Sequence, residues 1–196
     1  MAVHIINTHL TYPNWTEGKL NAAMVGVAKE FFESNGHSLT ITKVEDGYDA
    51  ATEERRHLDA DLVILQTPIN WFGAPWIYKK YVDEVFNLAL ANQTFLSGDG
   101  RTADDLSRQY GTGGKMAGKK FFIASTWNAP NSTFDNVDSV LFQGKSEDDL
   151  LLNITSNYKF TGFEVLPNFG IYNIFRDKDI EQRLLEYKSY LEALTL

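Results

Sequence analysis

The sequence contains no cysteine. That removes disulfide frameworks, thiolate nucleophiles and cysteine-ligated zinc or iron-sulfur centres, so any redox chemistry has to be carried by a borrowed cofactor. Positive charge is in deficit as well: 18 lysines and arginines against 26 aspartates and glutamates leave a formal net charge of -8. Nucleic acid is therefore a disfavoured partner, because phosphate backbones bind a concentrated basic face. The pairs Arg55-Arg56, Lys79-Lys80 and Lys119-Lys120 are isolated and read as solvated ends of helices and strands. Nothing approaches the ~20 consecutive apolar residues of a membrane span. The opening MAVHIINTHL also lacks the charged lead, long apolar core and small-residue cleavage site of a secretory signal, so a cytoplasmic chain is expected.

Sharp catalytic motifs are also scarce. There is no GxGxxG and no GxSxG. GGKMAGKK at 113–120 half-matches a phosphate-binding loop but lacks the hydroxyl after Lys119 and leads into a strand. His4, His9, His37 and His57 have no metal-ligand spacing, and no metal site is expected. Glu147-Asp148-Asp149 reads as the negative first turn of a helix. No side chain stands out as an essential acid, base or nucleophile.

What is present is the composition of an ordinary globular chain, 43% hydrophobic and 22% charged over 196 residues, which fits one domain spanning 1–196. Residues 3–7 (VHIIN) and 38–43 (SLTITK) read as strands. Between them a helix carries Leu20, Met24, Val27 and Phe31, with Ala23 and Ala28 beside them, and stops at Asn35-Gly36. Residues 61–66 (DLVILQ) form a continuous apolar strand, 77–90 a helix and 120–126 (KFFIAST) another strand. Ser146 opens a helix on Leu150, Leu151, Ile154 and Tyr158. A weaker strand falls within 163–172, and a last helix carries Ile180, Leu184, Tyr187, Leu191 and Leu194. This alternation predicts an α/β fold with a doubly wound, five-stranded parallel sheet, flavodoxin-like in its 2-1-3-4-5 order, and helices on both faces. Two connections, 91–119 and 127–145, exceed the ~15 residues that structureless loops in compact domains seldom pass without a functional or interface reason.

In an open parallel sheet, ligands sit beyond the carboxyl ends of the strands, where the strand order reverses. Three loops qualify. The first, 8–18, runs into Thr16-Glu17-Gly18-Lys19-Leu20-Asn21, a helix N-terminus whose free amides and dipole favour a phosphate; the plainer alternative is Thr16 as an ordinary N-cap. The second, 67–76, crowds Trp71, Phe72 and Trp76 onto a frame stiffened by Pro68 and Pro75, suited to a flat heterocycle or to a dimer contact. The third opens Thr126-Trp127-Asn128-Ala129-Pro130 and repeats the device of aromatic, amide and proline past a strand. Tyr110, followed by Gly111-Thr112-Gly113-Gly114, is placed to return over the same site or to lie at the surface.

Pro68-Ile69-Asn70-Trp71-Phe72-Gly73-Ala74-Pro75-Trp76, with Lys79-Lys80-Tyr81-Val82-Asp83-Glu84-Val85-Phe86 after it, resembles the modulator of drug activity B family of NAD(P)H:quinone oxidoreductases. So do Gly18-Lys19-Leu20-Asn21, Asp99-Gly100-Arg101-Thr102, Tyr110-Gly111-Thr112-Gly113-Gly114 and Thr126-Trp127-Asn128-Ala129-Pro130, in colinear order. The resemblance implies a flavodoxin-like homodimer that carries FAD, in preference to FMN, and passes two electrons from NAD(P)H to a quinone by a ping-pong sequence. It also implies FAD contacts at Thr16, Glu17, Gly18, Lys19, Leu20, Asn21, Ala22 and Ala23, at Pro68, Ile69, Asn70, Trp71 and Phe72, at Tyr110, and at Thr126, Trp127, Asn128 and Ala129. Ile69 and Asn70 stand where the family usually has Gly and Trp. Two other readings use the same residues: an FMN-dependent azoreductase or nitroreductase-like enzyme, and a flavodoxin-like electron carrier or partner-binding module without catalysis.

Overall fold

The computed structural model of the chain describes residues 1–194. Its elements are β1 (Ala2–Asn7), α1 (Lys19–Ser34), β2 (Ser38–Lys43), α2 (Ala50–Asp59), β3 (Leu62–Pro68), α3 (Trp76–Ala91), β4 (Lys120–Thr126), α4 (Glu147–Leu150), α5 (Leu152–Thr161), β5 (Glu164–Val165), β6 (Phe169–Ile171) and α6 (Ile180–Ala193). The strands pair in parallel in the order β2-β1-β3-β4-β5, and β6 also pairs with β4.

Strand alternation divides the core into two layers. Leu62 and Ile64 of β3 join Val3, Ile5, Phe122 and Ala124 against Met24, Ala28 and Phe32 of α1 and Tyr187 and Leu191 of α6. Val63 and Leu65 join Ile6, Phe121 and Ile123 on the other face, against Tyr81 and Val85 of α3 and Ile154 and Tyr158 of α5. The Tyr158 and Phe121 rings stack there, with centroids 3.5 Å apart. The buried line of α1 runs Asn21, Met24, Ala28, Phe32, one residue over from the expected stripe. Leu20, Val27 and Phe31 are only half-buried, and they flank that core layer.

Three elements differ from the expectations. The crossover helix α2 between β2 and β3 was not foreseen, because its buried positions are Glu53, Glu54 and His57 and carry no apolar period. Its signals are an Asp49 N-cap that accepts from the Thr52 amide and basic residues in the last turn. The helix that Ser146 opens breaks at Leu151 into α4 and α5. The fifth strand is two short pieces. Between them the Leu166 amide bonds Phe121, and the Asn168 side-chain oxygen accepts from the Ile123 amide, replacing a backbone carbonyl past Pro167.

Both long connections are anchored. The 91–119 segment buries Phe95, Leu96 and Met116, and a Cβ on Gly113 would come within 2.1 Å of the Gly98 carbonyl oxygen, so only glycine permits that contact. The 127–145 segment buries Phe134 and Phe142, stacked with centroids 5.0 Å apart. No helix among the described residues is long and apolar enough to cross a membrane. No group of three metal-ligating side chains occurs among them either.

Candidate functional site

The loops beyond β1, β3, β4 and β6 enclose a cleft of about 1300 Å³ over the point where the strand order reverses. Each wall can be built from its residues.

The first wall is residues 14–21 with Ala23. Tyr12 and Thr16 close a small loop by backbone hydrogen bonds, and Asn14 takes the left-handed conformation at its tip. Gly18, not Thr16, is the N-cap of α1, at φ 73° and with no side chain capping it. Thr16 Oγ1 instead lies 3.3 Å from Nε2 of His9, whose basicity is lowered mainly by burial. A Cβ on Gly18 would meet the His9 ring at 2.4 Å, so glycine is required here for space as well as for backbone conformation. The first-turn amides of α1 thus have neither an intrahelical partner nor a side-chain cap, and no acidic residue stands in that turn. Lys19 lies 2.7 Å from Glu17; the pairing raises the Lys19 pKa and lowers that of Glu17.

The second wall is residues 68–72. Asn70 and Gly73 exchange backbone hydrogen bonds of 2.9 and 3.3 Å across a two-residue turn. Its central residues, Trp71 and Phe72, have φ of 51° and 67°. Both signs correspond to a type I′ turn, whose usual occupants are Asn-Gly pairs, so two aromatics there hold a strained backbone. The strain sets Trp71 almost wholly in solvent, 90% exposed, at the lip of the cleft. Asn70 turns inward. Its side-chain nitrogen is buried with no hydrogen-bond partner, an orphaned donor in the wall of a cleft.

Thr126, Trp127, Asn128, Ala129 and Pro130 make the third wall with Thr133 and Leu141. Trp127 is only 2% exposed, with its ring against Phe134 at 5.0 Å and 75°. It forms a fixed wall of the cleft. Beneath it, Asn21 of the first wall reaches Thr126 at 3.4 Å and accepts from Gln66 at 2.9 Å, tying walls one and three to the end of β3.

A fourth wall, Asn173 to Arg176 with Ile180, went unforeseen. It follows β6, and the rule that points to strand carboxyl ends covers it; the fragmented fifth strand hid where that end lies. The Asn173 and Ile174 amides bond the Ala129 and Trp127 carbonyls, which locks this wall to the third. Phe175 and Arg176 are exposed at the rim.

Of the predicted residues, Ala22 and Tyr110 lie outside the lining of this cleft. Ala22 faces solvent from α1. Tyr110 sits in the 91–119 connection with its ring 5.1 Å from that of Phe160 and 5.3 Å from the Arg101 guanidinium. The others come together.

The arrangement suits an elongated, partly aromatic anion. Its lining combines uncapped helix amides with an orphaned amide donor and aromatic side chains, and the volume exceeds the ~300–1,000 Å³ of most single-ligand pockets. The flavin implied by the sequence resemblance fits those groups.

Known proteins converge on the same fold. The Flavodoxin_2 family, described as a flavodoxin-like fold, matches residues 1–194. The NADPH:quinone oxidoreductase MdaB of Haemophilus influenzae is 35% identical over 179 residues, covering 91% of this chain and 92% of that protein. Among solved structures, a protein assigned as a quinone reductase from Klebsiella pneumoniae superposes with a TM-score of 0.80 at 22% identity, covering 100% of this chain and 85% of that one. The general stress protein 14 of Treponema denticola, solved in complex with FMN, superposes with a TM-score of 0.67 at 19% identity over 98% of both chains.

Proposed function

Because the chain belongs to the Flavodoxin_2 family and is 35% identical to the NADPH:quinone oxidoreductase MdaB of Haemophilus influenzae, we propose that it is an NAD(P)H:quinone oxidoreductase holding FAD in the four-walled cleft. The observation that carries the reading is the pairing, in one cleft, of an uncapped helix N-terminus with an orphaned Asn70 amide beside two aromatic side chains. When bound, the flavin supplies two-electron chemistry, taking a hydride from NAD(P)H and giving it to the quinone in a ping-pong sequence.

The protein's own part is to bind, orient and exclude water. The α1 amides at Lys19, Leu20 and Asn21 take the diphosphate, with the helix dipole behind them. Asn70 donates its free N–H to the polar rim of the ring system, and Trp71 and Phe72 cover a face of it. Among the described residues, Arg176 is the cleft cation free for a nucleotide phosphate, since Lys19 is engaged by Glu17. The remaining open face accommodates the nicotinamide and then the quinone. FAD is preferred to FMN because a cleft of this volume extends past the ring site to α1 and to the fourth wall.

The working form is proposed to be a homodimer. Trp71, Trp76, Leu141 and Phe175 expose apolar surface on or next to the rim, and Tyr110 is free to approach the cleft of a second copy. A sedimentation mass of 22.2 kDa at working concentration would contradict this.

The deciding experiment is anaerobic spectroscopy of the purified protein loaded with FAD or FMN, freed of excess, then titrated with NADPH and a quinone. Retained FAD that bleaches with two electrons and recovers with quinone is the expected result. Preferential retention of FMN with faster turnover of azo dyes or nitroaromatics would favour the azoreductase-like reading. No retained flavin would remove the enzyme reading.

A further inference from the structure

Glu147 does not line the cleft, yet it holds two of its walls. One carboxylate oxygen accepts the Trp127 indole N–H at 2.6 Å and the Ser125 hydroxyl at 2.7 Å. The other accepts the Tyr172 hydroxyl at 2.5 Å. The indole N–H is shared with Ser125 Oγ at 2.9 Å, so the three donors form one closed set around the carboxylate. An ionised carboxylate, which only accepts, is the group that such a set requires.

The position of these donors matters. Trp127 stands in the third wall directly after β4, and Tyr172 comes directly before the fourth, after β6. Glu147 belongs to neither loop. It comes from the first turn of α4, fixed by reciprocal capping between Ser146 and Asp149. Its neighbours have other partners: Asp149 bonds the Ser146 amide, and Asp148 accepts from Asn168. A negative first turn therefore explains Asp148 and Asp149 but not the half-buried Glu147, which turns in to the site.

We propose that Glu147 is a positioning residue of the flavin site, which fixes the third and fourth walls relative to each other and sets a negative charge behind the wall the flavin rests on. This rests on the reading of the cleft as a flavin site. Reduction makes the ring system more negative, and a half-buried carboxylate bonded to Trp127 and Tyr172 opposes that change more strongly than a fully exposed one. The charge thereby holds the two-electron potential down and keeps the reduced state a strong donor to quinones.

Two substitutions separate the two roles. Glu147→Gln keeps the length and loses the charge; Glu147→Asp keeps the charge and is one methylene too short to span Trp127 and Tyr172. With Glu147→Gln, the ratio of reduced to oxidised flavin at a fixed poise is expected to rise about tenfold, a shift of about 30 mV for a two-electron couple. With Glu147→Asp, the potential should stay near the parent's while flavin Kd rises at least fivefold and the near-UV circular dichroism of the flavin-free protein changes in its indole bands. Parental potential in Glu147→Gln would overturn the charge role, and a parental Kd and indole spectrum in Glu147→Asp would overturn the clamp. Should either variant fail to fold, Tyr172→Phe removes one donor and leaves the carboxylate; an unchanged flavin Kd and indole spectrum there would equally overturn the clamp. If the parent itself retains no flavin, the proposed function falls, while the flavin-free spectra still decide whether Glu147 holds Trp127.

Discussion

Phe72 meets Phe142 edge to face, with ring centroids 5.9 Å apart and planes at 85°. The contact joins the strained turn of the second wall to the long 127–145 connection, where Phe142 stacks on Phe134 and Phe134 packs on Trp127. A connection too long to be a mere turn thus braces a backbone conformation that aromatic residues resist.

That strain is measurable. Replacing Trp71 and Phe72 by Asn and Gly gives the turn the residues its geometry favours, relieving about 1–3 kcal/mol at each position. The lost Phe72–Phe142 contact costs about 0.5–1.5 kcal/mol. The double variant is expected to be more stable to urea than the parent and to release flavin more readily. A variant that is both more stable and equally tight would show that the aromatics play no part in binding.

Gly18→Ala should act in the opposite sense on stability. The added methyl falls on the His9 ring and the residue must keep a left-handed backbone, which costs about 1–2 kcal/mol before any clash. The first turn of α1 is displaced, so flavin affinity is expected to drop at least tenfold, as followed by fluorescence quenching. Unchanged affinity would place the phosphate somewhere other than the α1 amides.

Arg176→Ala tests the fourth wall. If the guanidinium receives the extra phosphate of NADPH, KM for NADPH should rise about tenfold while KM for NADH changes little. Equal increases for both cofactors would assign Arg176 to a phosphate that they share. An increase in flavin Kd alone would assign it to FAD.

Acid stability follows from the polar face of α2. Burial pushes the Glu53 carboxyl up, but hydrogen bonds from His4, Tyr81 and Thr42 outweigh it and hold the group at about 2 against an ordinary 4.5. Its contribution is present above pH 4.5 and lost as pH falls toward 2, amounting to about 3 kcal/mol. His57 is held at about 3 against 6.5, first by burial and then by the nearby His4. Between pH 6.5 and 3 the unfolded chain therefore takes up a proton that the folded chain refuses, and stability falls with pH across that window. Urea midpoints measured from pH 8 to 4 should decline from about pH 6.5, and less steeply in His57→Gln. A flat profile down to pH 5 is the result that excludes this account.

The apolar strands and the loops at their carboxyl ends were legible because continuous β-branched runs and a topological rule determine them. Helix α2 was not, since it is held by Glu53 hydrogen-bonded to Thr42, Tyr81 and Arg56, a long-range polar cluster with no periodic trace in the sequence. Trp127 lines the cleft, but its burial depends on Phe134 and Glu147, which the residues next to Trp127 do not announce. The fourth wall was hidden for a related reason: Asn168 completes the sheet with its side chain, so the single strand expected within 163–172 is two pieces and its carboxyl end is not marked in the sequence.

The broken fifth strand also governs how the sheet meets other molecules. A long, straight edge offers a row of free amides and carbonyls to any passing strand. Here that margin of the sheet is two pieces of two and three residues, interrupted over 166–168, with Asn168 turned inward onto Ile123. It offers no template for continuing the sheet into a second molecule or into an aggregate. A second copy approaching from this side has to seat on helices and loops, close to where the four walls open.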